Sequence, residues 1–196
     1  MFYLHPHKVK ASKLETDEFL QRYQSKRDFG RVDLSQASLS DLNLANINLW
    51  QANLAEVNLS CTVLHQANLN QANLQGATLW RTDLRQAYLI QAQCSHALLI
   101  RANLSQANLS RSQFNKAEIR LACLIGADLQ GADLSGANLS YADLSSANLM
   151  GANLTRTIFT GANLTQANLS HTNLDEAILE GVNLKSATLP EMELVG

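Results

Sequence analysis

Proline is almost missing from this 196-residue chain. It occurs only as Pro6 and Pro190, so the long interior holds no residue that would interrupt a backbone hydrogen-bond ladder. Cysteine occurs three times, as Cys61, Cys94 and Cys123, with no Cys-x-x-Cys spacing. That excludes a disulfide framework and a cysteine-built zinc site. Aromatic residues make up 6% and charged residues 16%, with a net charge of −2. Neither an aromatic core nor a strongly charged surface can be built from so few. No run approaches the roughly 18 apolar residues of a membrane span. MFYLHPHKVK lacks the basic start and apolar stretch of a signal peptide. The expectation is a protein with no membrane association, in the reducing cytoplasm where free cysteines persist.

Chemistry-bearing motifs are equally scarce. His5, His7, His65, His96 and His171 are scattered, and His5-Pro6-His7 is the only pair close enough to touch one metal. There is no phosphate-binding loop and no Gly-x-Ser-x-Gly. The expectation is no catalysis, no cofactor and no small-molecule substrate.

What the chain has in abundance is leucine at a fixed interval. From Phe29 to Leu194 an apolar residue returns every fifth position, 34 times. Twenty-nine of these are leucine; the others are Phe29, Cys94, Phe114, Ile119 and Phe159. Two residues earlier stands a small residue, mostly alanine, and between the two stands mostly asparagine or aspartate, as in Asn53, Asn68, Asp83, Asp128 and Asn153.

A helix cannot use this period. Five residues advance it by about 500°, a net 140°, so the leucines would spiral around it. A flat strand fails as well, because an odd interval sends successive leucines to opposite faces. A square coil resolves the conflict. Alanine, asparagine and leucine form a short extended side with alanine and leucine inward, and the next two residues turn the corner. Four sides of five residues close a coil of about 20, and coils stack at the inter-strand spacing of about 4.8 Å. The chain then makes about eight coils in a rod roughly 40 Å long, right-handed by the usual chirality of parallel crossovers. Glycine concentrates at corners, as Gly76, Gly126, Gly131, Gly136, Gly151, Gly161 and Gly181, where its conformational freedom suits a tight turn.

Repeats such as GADLQ, GADLS, GANLS, YADLS and SANLM resemble those of pentapeptide repeat proteins, a family abundant in cyanobacteria. The resemblance covers about residues 29–194. It implies an all-β solenoid, a right-handed quadrilateral parallel β-helix. It further implies a non-catalytic module that binds or scaffolds another protein. The alternative it offers is a DNA-mimicking partner of DNA gyrase or another topoisomerase.

The ends differ from the middle. Residues 1–28 lack the period and form an N-terminal tail and cap ahead of the β-helix of residues 29–196. Thr16-Asp17-Glu18 reads as a helix start with Thr16 as N-cap, and Phe19, Leu20 and Tyr23 share one apolar face. A helix from Thr16 to Gln24 or Ser25 would cover the first coil, whose edge would otherwise invite association. Residues 1–11 read either as a strand on that coil or as a tail. At the other end, Asp175, Glu176, Glu180, Glu191 and Glu193 cluster. They suit a monomer whose edges repel, with an end-to-end homodimer as the alternative.

Charge is graded along the rod. Residues 1–31 hold seven basic and four acidic residues, residues 32–120 six and five, and residues 121–196 two and eight. A mimic of duplex DNA needs negative charge along its whole length, and only the last third supplies it. The basic end is too small to imply direct nucleic-acid binding.

Stacking residues 20 apart defines surface columns. Trp80, Ile100 and Arg120 form one, and Arg81, Arg101, Leu121 and Tyr141 form its neighbour on the same face. Elsewhere these positions are mostly small or polar. Tryptophan, tyrosine and arginine together are the composition of a protein-binding hot spot; the plainer reading is arginine stacked on tryptophan to stabilise the rod. Trp50 lies on another face. Gln51, Gln71 and Gln91, and likewise Gln66, Gln86 and Gln106, read as structural amide ladders, and the outward asparagines read either as further ladders or as partners of the corner backbone. Cys94 falls inward by phase, and Cys61 and Cys123 fall outward.

Overall fold

The structure, a computed structural model, describes residues 13–191. Every β-bridge joins residues 20 apart in parallel, from Lys13 with Asp33 to Asn168 with Thr188. That is the circuit length of a right-handed quadrilateral β-helix. Leucines face the axis: Leu134, Leu139, Leu144 and Leu149 are fully buried, together with Phe114, Phe159 and Cys94. The inward alanines fill the remaining space. Thr62, Thr82 and Thr157 replace alanine without an unpaired hydroxyl, donating to the carbonyls of Leu39, Leu59 and Leu134 at 2.6, 2.8 and 2.8 Å.

One repeat, Asn148–Ala152, shows why the unit is five residues. Asn148 N–H donates to Ala127 in the coil before it, at 2.9 Å. Leu149 and Gly151 donate to Asn168 and Ser170 in the coil after it, at 2.8 and 2.9 Å. Ala152 closes the corner by donating to Leu149 at 2.9 Å. The fifth N–H, on Met150, has no backbone partner and is capped by Asn148 Oδ1 at 3.2 Å. The outward asparagine is therefore part of the backbone accounting that burial demands.

The same side chain serves a second purpose. Asn148 Nδ2 donates back one coil to Asp128 Oδ1 at 3.1 Å, as Asn48 does to Asp28 at 2.9 Å and Asn53 to Asp33 at 3.0 Å. The ladder has a direction: the amide donates toward the N-terminus. A carboxylate only accepts, so aspartate can begin such a ladder but cannot continue one. Asp28, Asp33, Asp128, Asp133 and Asp143 each receive the next coil's asparagine.

Corners add a cost. From Arg31 to Ser186, each second corner residue has a positive φ, between 54° and 67°. Glycine occupies seven of these 32 positions; the rest hold side chains in a backbone region they disfavour.

Among the described residues there is one helix, α1, spanning Thr16–Tyr23. Its N-cap is Glu15, with no side-chain capping bond, so Thr16 is the first helical residue and not the cap. Phe19 is fully buried and packs against Phe29 in a tilted arrangement, ring centroids 4.7 Å apart. Tyr23 donates its hydroxyl to Asn43 C=O at 2.9 Å, so α1 lies across the first coil. Residues 1–11 fall outside the described residues. In the last described coil, Leu179 and Leu189 are 39% and 54% exposed. With Leu174, Leu184 and Pro190 they line an apolar hollow of about 440 Å³.

Candidate functional site

The stacked corners of one rod edge bring the predicted seven residues together. Backbone bonds tie Arg81 to Ile100 at 3.1 Å, Arg101 to Arg120 at 3.0 Å, Leu121 to Ser140 at 3.0 Å and Tyr141 to Thr160 at 2.9 Å. Trp80, Leu121 and Tyr141 are 40%, 48% and 63% exposed. Arg81, Arg101 and Arg120 are exposed, and Ile100 is half-buried.

The three arginines differ in what they touch. The Arg81 guanidinium lies 5.2 Å from the Trp80 ring centroid, a cation–π contact. Arg120 Nε lies 3.1 Å from Glu118 Oε2. Arg101 has no acidic partner among the described residues. Tyr141 packs closely against Gly161: a β-carbon there would sit 2.6 Å from the tyrosine ring.

Leu98 completes the patch. It is 40% exposed and occupies a position where the fold uses a capping asparagine or aspartate. Its column neighbours Thr78 and Glu118 do the same. Together they form the longest run of consecutive coils lacking Asn/Asp on any face. No described residue accepts the N–H of Trp80, Ile100 or Arg120, the groups this run would have capped. The signal was present in the sequence as a departure from the repeat, on the face that the large side chains mark.

Other candidates stand apart. Trp50 pairs with Arg31, whose guanidinium lies 4.6 Å from its ring, beside a shallow cleft of about 270 Å³ formed with Asp28, Gly30 and Asn48. The glutamine ladders form as expected: Gln51 donates to Gln71 and Gln71 to Gln91 at 2.7 and 3.0 Å; Gln66 to Gln86 and Gln86 to Gln106, both at 3.0 Å. Among the described residues no cluster of His, Cys, Asp and Glu could hold a metal. Among those residues no helix is long and apolar enough to cross a membrane.

The family pattern described as pentapeptide repeats (8 copies) matches residues 33–71, 67–106, 87–131, 122–156 and 157–191. The chain belongs to the pentapeptide repeat family. Among solved members, the chain is similar to HetL, involved in heterocyst differentiation regulation in the cyanobacterium Nostoc sp. strain PCC 7120. That match is at 26% identity, covering 94% of this chain and 99% of HetL, with a TM-score of 0.37. A trypsin-treated form of QnrB1, a plasmid-mediated fluoroquinolone resistance protein, matches at 20% identity over 83% of this chain and 78% of that one, with a TM-score of 0.59. A pentapeptide repeat protein of the Arabidopsis thaliana thylakoid lumen matches at 20% identity over 69% and 71%, with a TM-score of 0.37. No curated protein matches the chain. At these identities the QnrB1 likeness concerns the fold.

Proposed function

We propose that this pentapeptide repeat rod is a non-catalytic protein-binding or scaffold module. Its partner docks on the edge formed by Trp80, Arg81, Ile100, Arg101, Arg120, Leu121 and Tyr141. The observation that carries this reading is the run Thr78, Leu98 and Glu118. Three consecutive coils forgo the residue that caps the corner, at one place, beneath the bulkiest exposed side chains. Stabilisation alone gives no reason to give up three caps for exposed apolar and cationic groups.

The topoisomerase reading draws on fold alone. The middle of the rod carries six basic against five acidic residues, and that balance does not resemble duplex DNA.

The test is substitution of Arg81, Arg101 and Arg120 by glutamate, followed by capture of partners from a lysate of the source cells. The triple variant should lose a partner that the wild type retains, with circular dichroism unchanged. An unchanged partner set would remove this edge from consideration.

A further inference from the structure

We infer that the ligand of this edge is an acidic amphipathic helix laid along the rod axis. This rests on the proposed binding edge and names the chemistry that would recognise it.

Strand addition is closed to a partner here. The backbone groups of the edge are spent between coils, as in Arg81 N–H to Ile100 C=O and Arg101 N–H to Arg120 C=O. Extra strands add to free sheet edges, and the side of a stacked coil has none. Recognition must come through side chains and the few uncapped N–H groups.

Those groups ask for acceptors. Arg81 faces an aromatic ring and Arg101 faces no acid among the described residues, while Arg120 is held by Glu118. The uncapped N–H groups of Trp80, Ile100 and Arg120 are three more donors in the adjoining column. Carboxylates are the complement, and charge-assisted bonds to them are the strong ones.

Spacing selects the helix. The coil step is about 4.8 Å, so Arg81, Arg101, Leu121 and Tyr141 span three steps, about 14 Å. Helix positions i, i+3, i+7 and i+10 span about 15 Å at 1.5 Å per residue. The same-face residues i, i+2, i+4 and i+6 of an extended chain span about 20 Å. A helix stays in register across the column; an extended peptide slips past it. The order of the column then sets the order in the ligand: two acids against Arg81 and Arg101, then two apolar residues against Leu121 and Tyr141.

The probe is a labelled, side-chain-stapled helix with glutamate at i and i+3 and leucine at i+7 and i+10, titrated into the full chain by fluorescence anisotropy. A peptide of the same composition, held extended by prolines, is the first control. A stapled helix with the leucines moved to the opposite side is the second. The stapled probe should bind about tenfold more tightly than either control. It should weaken about fivefold or more with Arg81→Gln and Arg101→Gln together, and weaken with added salt. Equal binding of the extended or rearranged peptide would overturn the helix assignment. If the glutamate variant still loses its partner from lysate, the binding edge survives that result; if both experiments show no effect, the edge falls with it.

Discussion

Asn70 Oδ1 accepts the Ile90 N–H from one coil away, at 2.8 Å. In most repeats that N–H is capped by its own asparagine or aspartate, but the position belongs to Tyr88 here, which has no acceptor near the backbone. The neighbouring coil supplies what the repeat lacks. Asn70→Ala should therefore leave a half-buried donor unpaired and cost about 1–3 kcal/mol. Restoring the local cap with Tyr88→Asn in the same chain should recover most of that loss. Urea-unfolding midpoints of the two single variants and the double variant check it, since coupling between neighbours appears as non-additivity.

The direction of the asparagine ladders makes two opposite substitutions unequal. Asn148→Asp removes the donor to Asp128 and stacks two carboxylates one coil apart. A loss of about 1–3 kcal/mol is expected near neutral pH. It should shrink as the solution is acidified and one carboxyl protonates. Asp128→Asn keeps an acceptor for Asn148, and its new amide faces Asn108 in the coil before it. Its midpoint should stay within about 0.5 kcal/mol of wild type.

The rod was legible because a strict interval of five has only one economical geometry, and the inward burial of Leu134, Leu139 and Cys94 follows directly from phase. The corner conformation was legible only where glycine marks it, as at Gly126. Gln86 and Leu121 take the same left-handed backbone and give no sign of it. The capping role of Asn148 was legible only as one of two uses for an outward amide, because the choice depends on which N–H each coil leaves unpaired, and that is a property of the closed circuit; the structure shows both uses at once. Leu98 was overlooked because an outward leucine in a leucine-rich repeat carries no contrast. Thr16 misled because a hydroxyl followed by acids resembles a cap whether or not its side chain turns back.

Acid should weaken the fold through identifiable carboxylates. Burial works to raise the Asp33 pKa, but bonds from the Ser35 backbone and side chain, the Asn53 amide and the charge of Lys13 outweigh it and leave the group below its ordinary value. For Asp83 the Arg85 guanidinium is the main cause of a lowered pKa, through bonds of 2.8 and 2.7 Å. A folded pKa below the unfolded one contributes stability in full above the unfolded value, about 3.9. That contribution is lost as pH falls through the folded value. Thermal midpoints should stay flat in this respect down to about pH 5 and fall below about pH 4. Asp83→Asn should make the fall shallower.

Corner backbone, separated from contact, can be tested at Gly126. A β-carbon there would meet only Gln106 Cγ, at 3.9 Å, yet φ is +63°. Gly126→Ala therefore introduces no clash, and it should still cost about 1–2 kcal/mol through the left-handed conformation. At Ser186, where φ is 58°, replacement by glycine should be neutral or slightly stabilising, because relief of the same conformation offsets the greater freedom of the unfolded chain. Equal effects at both positions would mean that contacts, not backbone, govern the corners.

Thiol chemistry offers a way to mark the proposed edge without altering its charge. Burial pushes the Cys94 thiol well above its ordinary range, so it should react only when the rod unfolds. Cys61 and Cys123 are half-buried and free, and both should label in the native state. Cys61 N–H bonds to Trp80 C=O at 2.9 Å, and the residue stacks directly before Arg81 in the corner column. Cys123 follows Leu121 by two residues on the side adjoining that corner, 3.1 Å from Ser105 Oγ, so it borders the edge. A bulky maleimide on Cys61, in a Cys123→Ser background, should reduce partner capture. The same label on the opposite corner, ten residues round the circuit from Arg81, placed by Gln91→Cys with Cys61 and Cys123 replaced by serine, should leave capture unchanged. Equal inhibition by both labels would place the docking surface somewhere other than the Trp80–Tyr141 edge.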